Sequence, residues 1–363
     1  MVDNIVKKIQ IVLGQRISLK VCMMGPRAVG KTSILASIFH ETDEKLISSD
    51  LNFSPTGGTM TKLKKHYEEL YGIFANVSDV MDKPRGGIHA SDSTQEFHFT
   101  LGLKGQQPSV DIDMTDFPGE FLESTHVHHE TVVRFIRESQ VIMIAVDTVH
   151  LMEENGLFNE NRNQSSYLCS KIIGVLKLLD PNDAKLILIV PLKCEKYMYE
   201  NRMDEVVSKI RKAYEQLLGF IAQKDDTFNF HDRIAVGVTP IATLGGIVFS
   251  HFGKNEKGEI EIEETDNGCP SETCYKFYTH NPQYSPCFCV QPLYYLIAFA
   301  IRQYELQKDN GNFVTKALKG IASLFSSDSA FYRACKELTS NIIVNGKGYK
   351  VIQNPELITM CNL

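Results

Sequence analysis

The sequence predicts a three-layer α/β fold: a mostly parallel sheet with helices on both faces. Three observations carry that reading. Short apolar runs at Ile17 to Met24, Val141 to Val146, Lys185 to Pro191 and Arg233 to Val238 alternate with helical spacings, and unbroken apolar strands of this kind suit a sheet covered on both sides. The first run feeds Gly25-Pro26-Arg27-Ala28-Val29-Gly30-Lys31-Thr32, a complete G-x-x-x-x-G-K-[ST] phosphate-binding loop, and then a helical stretch from Thr32 to His40. With 363 residues and 43% hydrophobic content, the chain can bury one large core.

Taken in order, Met1 to Arg16 carries its apolar residues at helical spacing and reads as an N-terminal amphipathic helix rather than a signal peptide. In the loop that follows the first strand, the glycines let consecutive backbone N–H groups turn inward around phosphates. The helix N-terminus adds its positive dipole end, Lys31 reaches the β/γ oxygens and Thr32 ligates Mg²⁺. Gly25, Val29, Gly30, Lys31, Thr32 and Ser33 are therefore the expected cradle of a nucleoside triphosphate with Mg²⁺, which makes this a P-loop NTPase fold.

Asp43 to Pro84 is long for a connection, and Leu63, Tyr67, Leu70, Tyr71 and Phe74 recur there at helical spacing. We read it as a helix covering the domain core rather than a partner-binding element. Gln95 to Leu103 and Val110 to Met114, joined by a Gly- and Pro-containing turn, read as a β-hairpin. Helices are expected over Leu122 to Glu138, Ser165 to Leu178, Asp204 to Ile221 and Gln291 to Tyr304. The C-terminal part should hold helices Phe313 to Phe325 and Ser329 to Leu338, then a hairpin over Ile342 to Ile352 around Asn345-Gly346. The expected organisation is an N-terminal helix over 1–16, a nucleotide-binding domain over 17–306 with insertions at about 43–90 and 251–288, and a helical and hairpin extension over 307–363.

A net charge of −6 and a pI near 6.0 argue against a chain that coats nucleic acid or anionic membrane. The apolar segments are shorter than the roughly 20 residues of a membrane span. Nine scattered cysteines read as reduced thiols, and a soluble, cytoplasmic protein is expected. Cys269, Cys274, Cys287 and Cys289 lack the usual C-x2-C pairs of a zinc site, and His126, His128 and His129 lack a matched ligand spacing.

The strand Val110 to Met114 leads into Asp116-Phe117-Pro118-Gly119, a D-x-x-G. In P-loop enzymes an acid here holds Mg²⁺ and the Gly119 N–H can bond the γ-phosphate, a role that suits Asp116 better than Asp113. With these two motifs the chain resembles the GTPases of the translation-factor and Ras-like class. That resemblance implies GTP/GDP as ligands, the long first connection as a helix-bearing switch I, Thr94 as a further Mg²⁺ ligand from that switch, and Glu120 at the place of a water-orienting Gln. It also implies that Leu192-Lys193-Cys194-Glu195 stands where Asn/Thr-Lys-x-Asp reads guanine, with Lys193 over the base and Glu195 accepting from it. Leu for Asn/Thr and Glu for Asp depart from that pattern. Thr239-Pro240-Ile241-Ala242-Thr243-Leu244-Gly245 takes the place of the loop that backs the base. Arg27 is a candidate for offsetting charge on the transferred group in cis.

Together, Asp-Phe-Pro-Gly-Glu, the helix-bearing first switch and the last loop resemble bacterial GTPase-like proteins of the double-GTPase conflict-system type. The resemblance implies a Mg-dependent nucleotide switch, slow in hydrolysis, acting on an unidentified protein partner within multi-component bacterial systems, defence among them. An ATPase or nucleotide kinase, and a scaffold that holds nucleotide without turnover, remain the alternatives.

Overall fold

The computed structural model describes residues 17–75, 94–117, 121, 128–180, 183–223, 230–262, 268–280, 282–310 and 323–359. The expected helix over 1–16, Gly119, Glu120, His126 and most of Phe313 to Phe325 lie outside these residues. The described strands are β1 (Ile17–Met24), β2 (Leu51–Pro55), β3 (Gln95–Leu103), β4 (Val110–Asp116), β5 (Val141–Asp147), β6 (Lys185–Leu192), β7 (Ile234–Val238), β8 (Ile247–Phe252), β9 (Thr273–Phe277), β10 (Asn345–Gly346) and β11 (Tyr349–Gln353). Nine of them form one sheet in the order β10-β11-β7-β6-β5-β1-β4-β3-β2, and β8 and β9 form a separate hairpin.

The centre of the sheet is parallel: β1 pairs with β4 and β5, β5 with β6, and β6 with β7. Both edges are antiparallel, with β3 and β2 on one side and β11 and β10 on the other. Period-two alternation sends Val21, Met23, Val141 and Met143 to one face and Cys22, Met24, Ile142 and Ile144 to the other, so both faces are apolar where β1 pairs with β5.

On the first face lie α1 (Lys31–Lys45), the helix α10 (Gln291–Asn310) and α11 (Ser329–Thr339), numbered in chain order with the helices below. On the second lie α3 (His129–Glu138), α6 (Ser165–Leu176), α8 (Met203–Ala213) and α9 (Glu215–Ala222). Short helices α4 (Thr148–Met152), α5 (Asn159–Asn163) and α7 (Glu195–Tyr199) follow the carboxyl ends of β5 and β6. Helix α2 (Thr59–Ala75) is the inserted one. The result is the three-layer P-loop NTPase fold.

The long first connection holds a strand as well as a helix. β2, which the spacing does not announce, pairs with β3 as an edge strand ending in Pro55, and α2 packs on α1 and β3 through Leu63 and Leu70. Ile73 and Phe74 meet Ile247, Phe277 and Tyr284, so the two inserted stretches pack on each other. Tyr71 stays 53% exposed despite its helical spacing, because Ile73 takes the inward position beside Phe74.

The C-terminal hairpin forms two residues beyond the Asn-Gly expected to turn it. Asn345 and Gly346 are paired with Lys350 and Tyr349, and the turn is Lys347-Gly348, with φ of 52° and 85°. Both left-handed values suit a type I′ turn. The boundary expected at 306 falls inside α10, and Phe331, Leu338, Val351, Leu357 and Ile358 beyond it belong to the same core as β1.

Candidate functional site

The carboxyl ends of the five parallel strands share one edge of the sheet, and β1 lies where the strand order reverses, between β4 and β5. An open α/β sheet offers its ligand crevice at such a point. There the phosphate-binding loop leaves β1. Gly25 has φ of 139°, and a Cβ on it would stand 2.6 Å from the carbonyl oxygen of Ala145, so only glycine lets the loop pass this close to β5. Ala28 (φ 56°) and Gly30 (φ 110°) add further left-handed turns that curl the loop. α1 starts with Gly30 as its N-cap, without a side-chain cap and without an acidic residue in its first turn, which leaves its N–H groups to an anion.

Within the loop, Lys31 is buried and its Nζ donates to the carbonyls of Gly25 and Pro26, both at 3.1 Å, so the amine spans the mouth of the curl. The Thr32 hydroxyl donates to Asp116 Oδ2 at 2.9 Å, and Lys31 Nζ lies 3.9 Å from Asp116 Oδ1. Burial pushes the Asp116 carboxyl up, with the Lys31 ammonium and the Thr32 hydroxyl offsetting only part of that cost. Among the described residues, Asp116 Oδ1 is buried with no hydrogen-bond partner. A buried carboxylate oxygen left over beside a Thr hydroxyl offers the oxygen ligands a hard divalent cation takes, so the residues present fit Mg²⁺.

Asp113, the competing acid, points to the opposite face of β4, where it accepts from Ser18 Oγ and sits 2.7 Å from His98 Nδ1. Thr94 immediately precedes β3, whose first residue Gln95 pairs with Asp116, so Thr94 stands at the same edge. Val29 and Ser33 are buried, whereas Arg27 is exposed.

On the other side of the loop, Leu192 ends β6 and reaches within 3.7 Å of where a Cβ on Gly30 would be. Lys193 follows with φ of 56°, and its amine donates to Asp147 Oδ2 at 2.7 Å. Asp147 is fully buried at the end of β5. Its Oδ1 also accepts from the His150 N–H and lies 2.9 Å from His150 Nδ1, while Arg162 Nε stands 3.7 Å from Oδ2. Burial alone raises its pKa, but Lys193, His150 and Arg162 outweigh burial and hold the carboxyl well below the usual range. Asn163 completes the anchorage by bonding both the N–H and the C=O of Asp147.

Glu195 begins α7 with 4% exposure, and its Oε1 accepts from the backbone N–H groups of Leu244 and Gly245, both at 3.4 Å. Burial pushes its carboxyl up, with those N–H groups and Lys193 offsetting part of the shift. The loops of Lys193-Glu195 and Thr239–Gly245 thus meet, as their motif places imply. Tyr199 and Tyr278 stack at 3.9 Å over this region, and the Tyr199 hydroxyl donates to the carbonyl of Gly245.

Asp147, His150, Arg162 and Asn163 are absent from the residues that the motifs single out, whereas their partner Lys193 is among them. The available signal was an apolar strand ending in an acid at the carboxyl edge. Among the described residues no group of three or more His, Cys, Asp or Glu could hold a metal ion, and Cys269, Cys274, Cys287 and Cys289 form no disulfide. No described helix is long and apolar enough to cross a membrane.

No curated protein matches the chain. Among solved structures, the GTPase-like domain of S. cerevisiae Ski7, bound to GDP and inorganic phosphate, is similar at 15% identity and a TM-score of 0.37, covering 69% of this chain and 47% of that one. The signal recognition particle receptor SRb-GTP/SRX complex from Chaetomium thermophilum is similar at 13% identity and a TM-score of 0.36, covering 62% and 94%. The LeoA bacterial dynamin GTPase from ETEC is similar at 14% identity and 0.33, covering 66% and 32%. The chain spans about half the length of the Ski7 domain. Residues 20–234, more than half of the sequence, match the model of the family described as Double-GTPase 2, and the chain belongs to this family of GTP-binding P-loop proteins.

Proposed function

We propose that the protein is a Mg-dependent GTP switch with slow intrinsic hydrolysis that signals to a protein partner. The observation that carries this reading is the trio at the phosphate loop: Lys31 across the mouth, Thr32 bonded to Asp116, and one oxygen of Asp116 without a hydrogen-bond partner. Thr32 and Asp116 would hold Mg²⁺, with Thr94 a third candidate from the switch. When bound, that ion supplies neutralisation of charge shared between the β- and γ-phosphates. Lys31 exchanges the loop carbonyls for phosphate oxygens, and the first N–H groups of α1 hold the β-phosphate. Gly119 bonds the γ-phosphate and reports its presence. Glu120 orients water but adds negative charge beside the phosphate, which is the physical reason for slow turnover.

On the base side, Lys193 lies over the ring and Glu195 accepts from guanine. A second reading is adenine binding, favoured by one observation: buried Leu192 offers no polar group where the guanine motif has Asn or Thr.

Equilibrium binding of labelled GTP, GDP, ATP and ADP with Mg²⁺ tests both. Guanine selectivity in the native chain, with a loss of about a hundredfold or more in Lys31→Ala, is expected because the ammonium makes charge-assisted contacts in a buried site. Adenine preference would move the assignment to an ATPase, and turnover as fast as that of an efficient hydrolase would remove the switch.

A further inference from the structure

We infer that His66, carried by the inserted helix α2, is a further contact for the terminal phosphate of the bound triphosphate. The inference rests on the function proposed above and adds one residue to the same site.

The argument is positional. Helix α2 runs beside β3 toward the carboxyl edge of the sheet. Near its start the Thr59 hydroxyl accepts from the His98 N–H at 2.9 Å, and one turn later Lys62 Nζ donates to the carbonyl of Glu96 at 3.1 Å. Two strand residues have been passed in three helical ones. The next strand residue, Gln95, pairs with Asp116. Four residues beyond Lys62 advance the helix by about 6 Å, close to two strand residues at about 3.4 Å each, and so bring His66 level with Thr94 and Asp116. Lys62 and His66 are also four apart and share a helix face.

The side chain fits that place. It is only 14% exposed, and Nδ1 sits 3.3 Å from Glu69 Oε2, one turn along the same helix, which orients the ring. The ring stands close enough to act electrostatically on the Asp116 carboxyl. The unpartnered Asp116 Oδ1 independently points to a ligand at this spot. Nδ1 faces Glu69, and an N–H on Nε2 would make the ring a donor toward the phosphate. The insertion would thereby supply in cis a donor at a place where other P-loop enzymes use an arginine. It would also give α2 a reason to distinguish triphosphate from diphosphate, since only the former reaches it.

The test compares the full chain with His66→Ala, His66→Gln and Lys64→Ala, the last an exposed position on the same helix. Fluorescent GTP and GDP are titrated with Mg²⁺ present, and thermal melts check the fold. His66→Ala should weaken GTP about tenfold, the factor that one hydrogen bond to a charged group supplies, while GDP changes less than about twofold. His66→Gln should recover part of the loss because its amide still donates, and Lys64→Ala should match the native chain. An unchanged preference for GTP over GDP in a folded His66→Ala protein overturns the assignment of His66 alone. Equal losses for the two nucleotides would also overturn it, as they mark a structural role. A native chain that binds no nucleotide sinks the proposed function and this contact together.

Discussion

Asp147 is the residue that anchors Lys193, the lysine proposed to lie over the base. It has no exposure, yet its two oxygens face Lys193, Arg162, the His150 ring and a backbone N–H. Replacing a buried carboxylate that cationic groups surround leaves those cations uncompensated, so Asp147→Asn should cost about 3–5 kcal/mol in denaturant unfolding. The sign with pH follows from the direction of the shift. The folded carboxyl is held well below the ordinary value of 3.8, so its stabilisation is fully present above 3.8 and is lost as pH falls through the folded pKa. The gap between the native chain and Asp147→Asn should therefore be widest near neutrality and narrow below pH 3.8; a gap that is constant with pH would contradict the ion-pair account. Lys31, Thr32 and Asp116 were legible in the sequence because phosphate chemistry fixes their types at short spacings or at a strand tip. Asp147, His150 and His66 were not, since each owes its place to contacts between segments that no local pattern links.

At the scale of elements, helix α2 is held at both ends of its length by different neighbours. Leu63 sits on the main core, while Phe74 lies 5.8 Å from the Phe277 ring and 5.9 Å from the Tyr284 ring, on the second insertion. Phe74→Ala should cost about 3 kcal/mol, as other large-to-small changes at buried phenylalanines do. The loss should be local: limited proteolysis is expected to cut within 59–75 at denaturant concentrations where the central sheet is still folded. Cleavage that begins only at global unfolding would mean that α2 is no separate unit. The helix itself was readable from its 3.6-residue period, and so were β3, β4 and the apolar central strands. β2 was hidden because an edge strand of five residues ending in Pro55 carries only a short alternation. The final hairpin was foreseen but its turn was misplaced: Gly346 and Gly348 both have positive φ, and pairing with β7 rather than the local Asn-Gly preference set which one turns the chain.

For the whole molecule, the question is whether the segment beyond α10 is an appendage or part of the fold. The sequence left this open, because a short hairpin after two helices reads alike in both cases. β11 pairs with β7 and extends the sheet. Tyr349 is buried and its hydroxyl donates to the Pro240 carbonyl, beside the loop that meets Glu195. Asn354 bonds the carbonyl of Ile234, and Tyr295 of α10 donates to the carbonyl of Ile343. Removing residues 341–363 would strip these contacts, uncover the apolar side chains beneath Val351, Leu357 and Ile358, and leave the apolar strand β7 as an open edge of the sheet. Unpaired edges of that kind recruit other chains. The truncated protein should thus melt below the full chain, by about 5 °C or more if at least 4 kcal/mol is lost, since an unfolding entropy of about 2.1 cal/mol/K per residue makes each kcal/mol worth about 1.3 °C in a chain of this size. It should also elute as soluble aggregate in size-exclusion chromatography. Because Pro240, in the loop proposed to back the base, accepts from Tyr349, nucleotide affinity should fall even in the monomeric fraction. A truncated chain that melts, elutes and binds nucleotide as the full one does would show that the fold is complete without its last strands.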